Sequence, residues 1–478
     1  MIKAPFGTSV LAMAVLLSGC GGGGGGGSGD GATSVAPPPP PPASTACSLQ
    51  SRQEFAARVL REWYLFPETL PASLSTNGFA TVNDYIDALT ATARSQRRDR
   101  FFTFVTSIAE ENAFFATGAS AGLGVRLSTD TVARRVLIAE AFEGAPGLAA
   151  GIDRGTEILA IGTTSANLRT VSDIITAEGA AGVSNALGPT TAGTTRVLRI
   201  ANAAGTREVS VTKATFDLIP VSARYGAQVI NDGAKRVGYL NLRTFISSAD
   251  PQLRTAFDNF RTQGITEFVI DFRYNGGGLV STAELLTNLL GRNRSNNDIL
   301  SVTTFRPEKS SNNSTERFSQ QSQSVAPLKI AFITTGSSAS ASELVINAMV
   351  PYLGANIAIV GANSFGKPVG QIAIDQAACD DRFRVIAFST QNATGGGFYY
   401  DGLKATVPNS CQAADDVTRP LGDAQEASVA RALDFLGGRS CTPIAAAGQV
   451  SQSVGAGRPQ LLTPMIPTAS QREVPGLF

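Results

Sequence analysis

The stretch Leu328-Lys329-Ile330-Ala331-Phe332-Ile333-Thr334-Thr335-Gly336-Ser337-Ser338-Ala339-Ser340-Ala341-Ser342-Glu343 reads as a buried strand that stops at a glycine and turns into a helix opened by serines. The apolar run is short and bounded by turn residues, as a strand covered on both faces requires. A helix to about Tyr352 and a strand over Ile357 to Gly361 follow. Working outward, Arg236 to Arg243 and Glu267 to Phe272 read as strands separated by a helix around Pro251 to Thr262. Asp271-Phe272-Arg273-Tyr274-Asn275-Gly276-Gly277-Gly278 then ends the second strand in a glycine turn before a helix over Val280 to Leu290. Strands alternating with helices predict a mixed α/β core from about Ala223.

A serine at the start of a helix after a buried strand faces free N–H groups and the positive end of the helix dipole, a setting that suits a nucleophile and a developing oxyanion. Ser340-Ala341-Ser342-Glu343 is also a capping-box pattern, so helix capping accounts for the same residues. Spacing does not choose among Ser338, Ser340 and Ser342. The chain has no histidine, which removes a Ser-His-Asp base and argues against catalytic zinc. An amine base remains. Lys367 lies among Phe365, Pro368 and Val369, apolar neighbours able to desolvate it; a lysine base near neutral pH needs roughly 4 kcal/mol of preference for the neutral form. Neither Ser338 nor Ser340 has a lysine three residues on, which discards the Ser-x-x-Lys pattern. No cysteine spacing resembles a zinc site, and no metal or cofactor is expected.

The flanks read as follows. Lys3 and the apolar stretch Leu11 to Leu17 form a signal sequence, 1–19, too short to span a bilayer. Leu17-Ser18-Gly19-Cys20 resembles a bacterial lipobox, which implies a Cys20 carrying two or three acyl chains. Gly21 in place of aspartate favours an outer-membrane destination. Residues 20–46, with Gly21 to Gly27 and Pro37 to Pro42, read as a tether. Residues 47–116 read as a small helical domain, with Ser51 and Glu54 as a capping box and a second helix around Val82 to Thr92. No chemistry is expected there. In an oxidising compartment Cys47, Cys379, Cys411 and Cys441 are disulfide candidates, with Cys379–Cys411 and Cys47–Cys441 the preferred pairs of three possibilities. Residues 442–478, rich in Ala, Gly, Ser and Pro, read as a disordered tail. A net charge of +1 leaves no electrostatic footprint for nucleic acid.

Residues 117–216 change to short β-rich runs, with strands at Val136 to Ile138, Ile158 to Ile161 and Arg196 to Ile200. Gly122-Leu123-Gly124-Val125, followed by Gly144-Ala145-Pro146-Gly147-Leu148 and Gly155-Thr156-Glu157-Ile158-Leu159, resembles a PDZ domain. Such a loop exposes backbone N–H groups that capture a terminal carboxylate while the next strand accepts an extended peptide.

Taken with the glycine turn and the segment Gly336 to Gln371, the chain resembles the C-terminal processing peptidases, or tail-specific proteases, of the S41 serine peptidases, over roughly Ala119 to Asn409. The resemblance implies a multidomain α+β protein with a crotonase/ClpP-like core over 217–441 and an inserted PDZ domain. It also implies a serine endopeptidase with Ser340 as nucleophile, Lys367 as general base, Gln371 orienting the lysine, and oxyanion amides on Ala341 and Gly277. Polypeptide substrates or adaptor C-termini are the implied partners, in the periplasm of a bacterial envelope; the oligomeric state is not readable. Pro368, where many members have glycine, and Pro351, where some carry an acid, depart from the pattern. A non-catalytic PDZ scaffold that binds peptide tails, and a core binding apolar small molecules, are the rival readings.

Overall fold

The computed structural model describes residues 47–445 and 459–478. The segments expected to be a signal sequence, 1–19, and a tether, 20–46, with Cys20, lie outside these residues.

At the centre of the core, strand Glu267–Asp271 runs parallel to Lys235–Asn241 on one side and Lys329–Thr334 on the other. Ile357–Gly361 and Asn409–Gln412 continue the parallel sheet, and Ala227–Asp232 closes the other edge antiparallel. Side chains alternate across the sheet. Phe268, Ile270, Ile330 and Phe332 pack with the helices Ala249–Thr262, Val280–Leu289 and Ala341–Leu353 on one face. Val269, Ala331, Ile333 and Val360 pack with the helix Ala427–Leu436 on the other. Burial on both faces explains why these strands read as unbroken apolar runs. The elements expected from sequence here agree with the structure to within about two residues at each end, the usual uncertainty of helix and strand limits.

The β-rich insertion is closed at its base by a ribbon in which Ala119–Gly122 pairs with Ala214–Asp217. Its sheet runs in the order Val125–Asp130, Arg135–Ala141, Glu157–Gly162, Thr195–Asn202, Gly205–Thr212, under the helix Val171–Leu187. A buried ionic network seats it on the core. Glu140 accepts from Nε of Arg126 at 3.2 Å and Nε of Arg243 at 2.6 Å, and from the Tyr225 hydroxyl. Burial alone would raise the Glu140 carboxyl, but Arg243 and Arg126 hold it down at about 2.

Three expectations are corrected. Residues 47–116 are not a self-contained helical domain. The helix Leu49–Trp63 begins after Ser48, whose hydroxyl accepts from the Ser51 N–H, so Ser51 is not the cap. Strand Phe104–Ser107 then joins a second sheet, antiparallel to Asp381–Gln391, with Phe104 opposite Arg384. Ala56, Leu60, Ile86 and Phe102 share one core with Val369, Phe383 and Val385 of the hairpin Val369–Gln376 and Asp381–Gln391. The apolar stripe of a helix signals burial but does not say against what.

The disulfides are Cys47–Cys379 and Cys411–Cys441, each with Cα atoms 5.4 Å apart, not the preferred pairs. Cys379 lies at the tip of that hairpin in the second sheet, whereas Cys411 lies on the edge strand of the core sheet, so proximity in sequence did not bring them together. Cys47–Cys379 closes a separation of 332 residues. Replacing both cysteines with serine is expected to destabilise the fold by about 2–4 kcal/mol, read as a lower denaturation midpoint; a non-reducing peptide map linking Cys47 to Cys441 would refute the pairing.

The third correction concerns the tail. Residues 459–478 are ordered: Gln460–Leu461 pairs with the strand Val125–Asp130, a short helix spans Ala469–Glu473, and Val474, Leu477 and Phe478 are buried. Its small residues suggested disorder by composition, but its few apolar side chains are placed where pockets exist to take them.

Candidate active site

The site forms beyond the carboxyl ends of the two central parallel strands, where open α/β sheets leave a crevice. Glu267–Asp271 feeds the glycine turn and Lys329–Thr334 feeds the serine turn. Fully buried Arg273 anchors the first turn through Asp271 at 2.8 Å and Glu426 at 2.9 Å.

Asn275 joins the two turns. Its Nδ2 donates to the Leu242 carbonyl at 2.8 Å, and its own carbonyl accepts from Ala339 N at 3.1 Å and Ser342 Oγ at 3.0 Å. Its Oδ1 accepts the Gly277 N–H at 2.9 Å. That bond corrects the expectation for Gly277, because an amide held by an Asx turn is not presented to a substrate carbonyl. Gly277 serves by its size: at φ +118°, an added Cβ would lie 2.8 Å from Ser340 Cβ.

Ser338 and Ser342 are fully buried and tied to backbone carbonyls, Ser338 Oγ to Phe272 O at 2.7 Å and Ser342 Oγ to Asn275 O. Half-buried Ser340 is not anchored to that strand end. It stands at φ 55°, ψ −114°, a conformation costly for a residue with a Cβ and of the kind that lifts a nucleophile out of a strand-to-helix turn. The next residue, Ala341, opens the helix, and its N–H makes no hydrogen bond among the described residues.

Glu343 fastens the serine turn to the lysine turn. Its Oε2 accepts from both Ser340 N at 3.1 Å and Lys367 N at 2.7 Å, while Oε1 accepts from Gly366 N at 2.7 Å. Phe365 N adds a bond to Ser338 O at 2.9 Å. Burial raises the Glu343 carboxyl, opposed by Ser364 and these backbone donors. The sequence marked Glu343 only as a helix cap.

Lys367 Nζ donates to Gln371 Oε1 at 2.8 Å and sits 4.9 Å from the centre of the Phe102 ring. Gln371 Nε2 in turn donates to the Phe102 carbonyl. Burial pulls the Lys367 amine below the ordinary lysine value, against the opposing charges of Glu473 and Asp99. Arg100 braces the turn from outside, with Nη2 donating to Phe365 O at 2.5 Å, Gly366 O at 2.7 Å and Tyr400 O at 3.2 Å. The N-terminal segment, from which no chemistry was expected, therefore supplies part of the site's wall. The sequence separation of 265 between Arg100 and Phe365 leaves no sequence signal of that contact. Gly122 to Val125 are not at this site; they form the loop that opens the strand Val125–Asp130 of the inserted sheet.

Residues 236–401 match the family model described as Peptidase family S41. The chain is 27% identical over 274 residues to the chloroplastic C-terminal processing peptidase of Tetradesmus obliquus, covering 54% of this chain and 53% of that protein. It is 24% identical over 241 residues to the carboxy-terminal processing protease CtpA of Bacillus subtilis, covering 50% and 46%. It thus spans about half the length of the curated relatives it matches. A solved structure described as an S41 protease of Bacteroides fragilis has the same fold, with TM-score 0.61 at 23% identity over 80% of this chain and 97% of that one.

Proposed function

The chain belongs to peptidase family S41 through residues 236–401 and carries a PDZ-like domain, and from that premise we propose that it is a serine endopeptidase working through Ser340 and Lys367. The observation that carries this reading is the shared Glu343 oxygen, which holds the backbone of both residues in one turn-to-turn clamp. In the proposed reaction, Ser340 Oγ attacks a peptide carbonyl as its proton passes to the neutral Lys367 amine. The tetrahedral oxyanion takes the N–H of Ala341 at the helix start. Lys367 returns the proton to the leaving amine, and water then hydrolyses the acyl ester by the same relay. Gln371 is a positioning residue that orients the amine. Domain limits of 117–216 for the PDZ-like insertion and 217–441 for the core, with a crotonase/ClpP-like arrangement, belong to the same proposal. So do polypeptide substrates and a bacterial envelope location with a lipid anchor at Cys20.

A fluorophosphonate probe tests the chemistry without knowledge of the substrate. One adduct, located at Ser340 by mass spectrometry and lost in Lys367→Ala, is the expected result. An adduct at Ser338 or Ser342, or undiminished labelling in Lys367→Ala, would overturn the assignment.

A further inference from the structure

The ordered tail occupies two places at once. Gln460 and Leu461 pair antiparallel with Thr129 and Ser128, and Leu462 N donates to Leu127 O at 3.0 Å. The chain then leaves this groove and returns to it. Leu127 N donates to Gly476 O at 2.8 Å, Phe478 N donates to Val125 O at 2.9 Å, and the Phe478 carbonyl oxygen accepts from Gly124 N at 2.8 Å and Val125 N at 3.2 Å. These are the backbone bonds that strand addition makes with an extended peptide, here filled from within the chain. Phe478 is buried in the core of the inserted domain with Leu123 and Val125. Leu477 packs on the opposite side with Phe142, Phe216 and Leu218. Gly476, at φ +81°, has no room for a side chain, since a Cβ would lie 2.9 Å from Arg126 Cγ and 3.1 Å from Leu127 O.

Between the two groove contacts the excursion packs against the glycine turn of the candidate active site. The carbonyl oxygen of Glu473 and the ring of Pro475 lie 3.0 and 3.1 Å from where a Cβ on Gly276 would stand, in the glycine turn beside Ser340. Arg472 covers the Phe104 ring at 4.1 Å. After burial, Glu473 is the charged group that acts most on Lys367, ahead of Asp99, Arg384 and Glu343. It favours the protonated amine, which cannot act as base. Fully buried Arg126 ties the places together: its Nη1 donates to Pro475 O at 2.5 Å and to Tyr274 O at 3.0 Å, and Tyr274 precedes Asn275 of the glycine turn.

We propose that residues 460–478 are an intramolecular ligand of the PDZ-like groove that also covers the Ser340–Lys367 site. We propose further that a peptide carrying the same order of glycine, large aliphatic residue and aromatic residue replaces it and uncovers that site. The ligand class follows from the three positions: no side chain is admitted at Gly476, and two apolar pockets receive Leu477 and Phe478. This rests on the peptidase reading for what is uncovered, but not for what fills the groove.

Two measurements on the full chain separate the two. The first is binding of a fluorescent Val-Pro-Gly-Leu-Phe peptide, with Val-Pro-Gly-Leu-Asp as control. Leu477→Asp/Phe478→Asp is expected to bind the first peptide at least about tenfold tighter than the unaltered chain, because the resident ligand no longer competes. Equal binding by both chains, or binding that ignores the terminal Phe, would overturn the groove assignment. The second is the rate of fluorophosphonate labelling of Ser340 in the unaltered chain, which is expected to rise severalfold with saturating Val-Pro-Gly-Leu-Phe and not with the control. Labelling at an unchanged rate would overturn the covering role. No labelling in either chain, with or without peptide, would instead sink the peptidase reading, and leave the groove assignment to stand or fall on the binding result. The unaltered-chain measurement holds even where the double variant fails to fold.

Discussion

Ser340→Ala is expected to abolish peptide-bond hydrolysis, by on the order of 10⁴-fold or more in kcat, while its stability falls by no more than the loss of a helix cap, about 0.5–2 kcal/mol. The hydroxyl is not tied to a strand-end carbonyl as those of Ser338 and Ser342 are to Phe272 and Asn275, and its structural contact is with the Glu343 N–H in the capping box, so its removal costs chemistry and at most a helix cap. Lys367→Ala should lose about 10²–10⁴-fold as a general base is removed, and Lys367→Arg should not restore it, because a guanidinium stays charged at every accessible pH. The pH dependence follows from burial. Desolvation lowers the Lys367 pKa from 10.5, so the neutral base forms at lower pH than for an exposed lysine. The acid limb of kcat/KM should therefore fall through a single group below 10.5. The stability linkage has a definite sign. In the window between the lowered folded value and 10.5, the unfolded chain binds the proton and the folded chain does not, so stability from this residue rises with pH there and is lost as pH falls through the folded value. An acid limb at 10.5 itself, or one unmoved by Lys367→Ala, would remove Lys367 from the base role.

What the sequence could tell about this site divides along physical lines. The central strands were legible because burial on both faces leaves runs such as Phe268-Val269-Ile270 that only a covered sheet can use. The serine and lysine turns were legible because each combines residue types that local structure alone seldom needs together. The Gly122 to Val125 loop was legible because close backbone approach calls for glycine, and a Cβ on Gly122 would stand 2.7 Å from the Phe478 carbonyl carbon. The remaining features depend on tertiary contact. Asn275 looks like any turn asparagine until its carbonyl is found holding Ala339 and Ser342. Arg100 reads as one charge in the charged run Arg97 to Arg100, yet its guanidinium holds three carbonyls of the lysine turn and its neighbourhood. The disulfides followed sheet membership, which spacing does not encode. The tail read as disordered because composition averages over its length, whereas its order depends on Leu462, Val474, Leu477 and Phe478 meeting pockets made by residues more than a hundred positions away.

Glu343→Ala should be nearly as damaging to activity as removal of the base, and unlike Ser340→Ala it should also lower stability by several kcal/mol. Three N–H groups, on Ser340, Gly366 and Lys367, converge on its two oxygens in a buried site. Each buried donor left without an acceptor costs about 1–3 kcal/mol, and water enters poorly where the residue is fully covered. The same loss unties the lysine turn from the serine turn, so the displacement falls on the reacting pair; a misplacement of about 1 Å can cost on the order of 10²-fold in rate. Glu343→Gln separates the two consequences. It keeps the volume and one carbonyl oxygen, which can continue to accept from Ser340 and Lys367, but it turns an amide NH₂ toward the N–H of Gly366, where two donors now oppose each other. The fold should survive, with a denaturation midpoint between those of the parent and the alanine variant. kcat should fall far more than KM changes, and fluorophosphonate labelling of Ser340 should slow in proportion. Rescue of kcat by Glu343→Asp is not expected, because the shorter side chain cannot reach both turns. If Glu343→Gln retained full kcat with a lowered midpoint, the residue would be a helix cap alone, and the clamp between Ser340 and Lys367 would have to come from Phe365 N on Ser338 O.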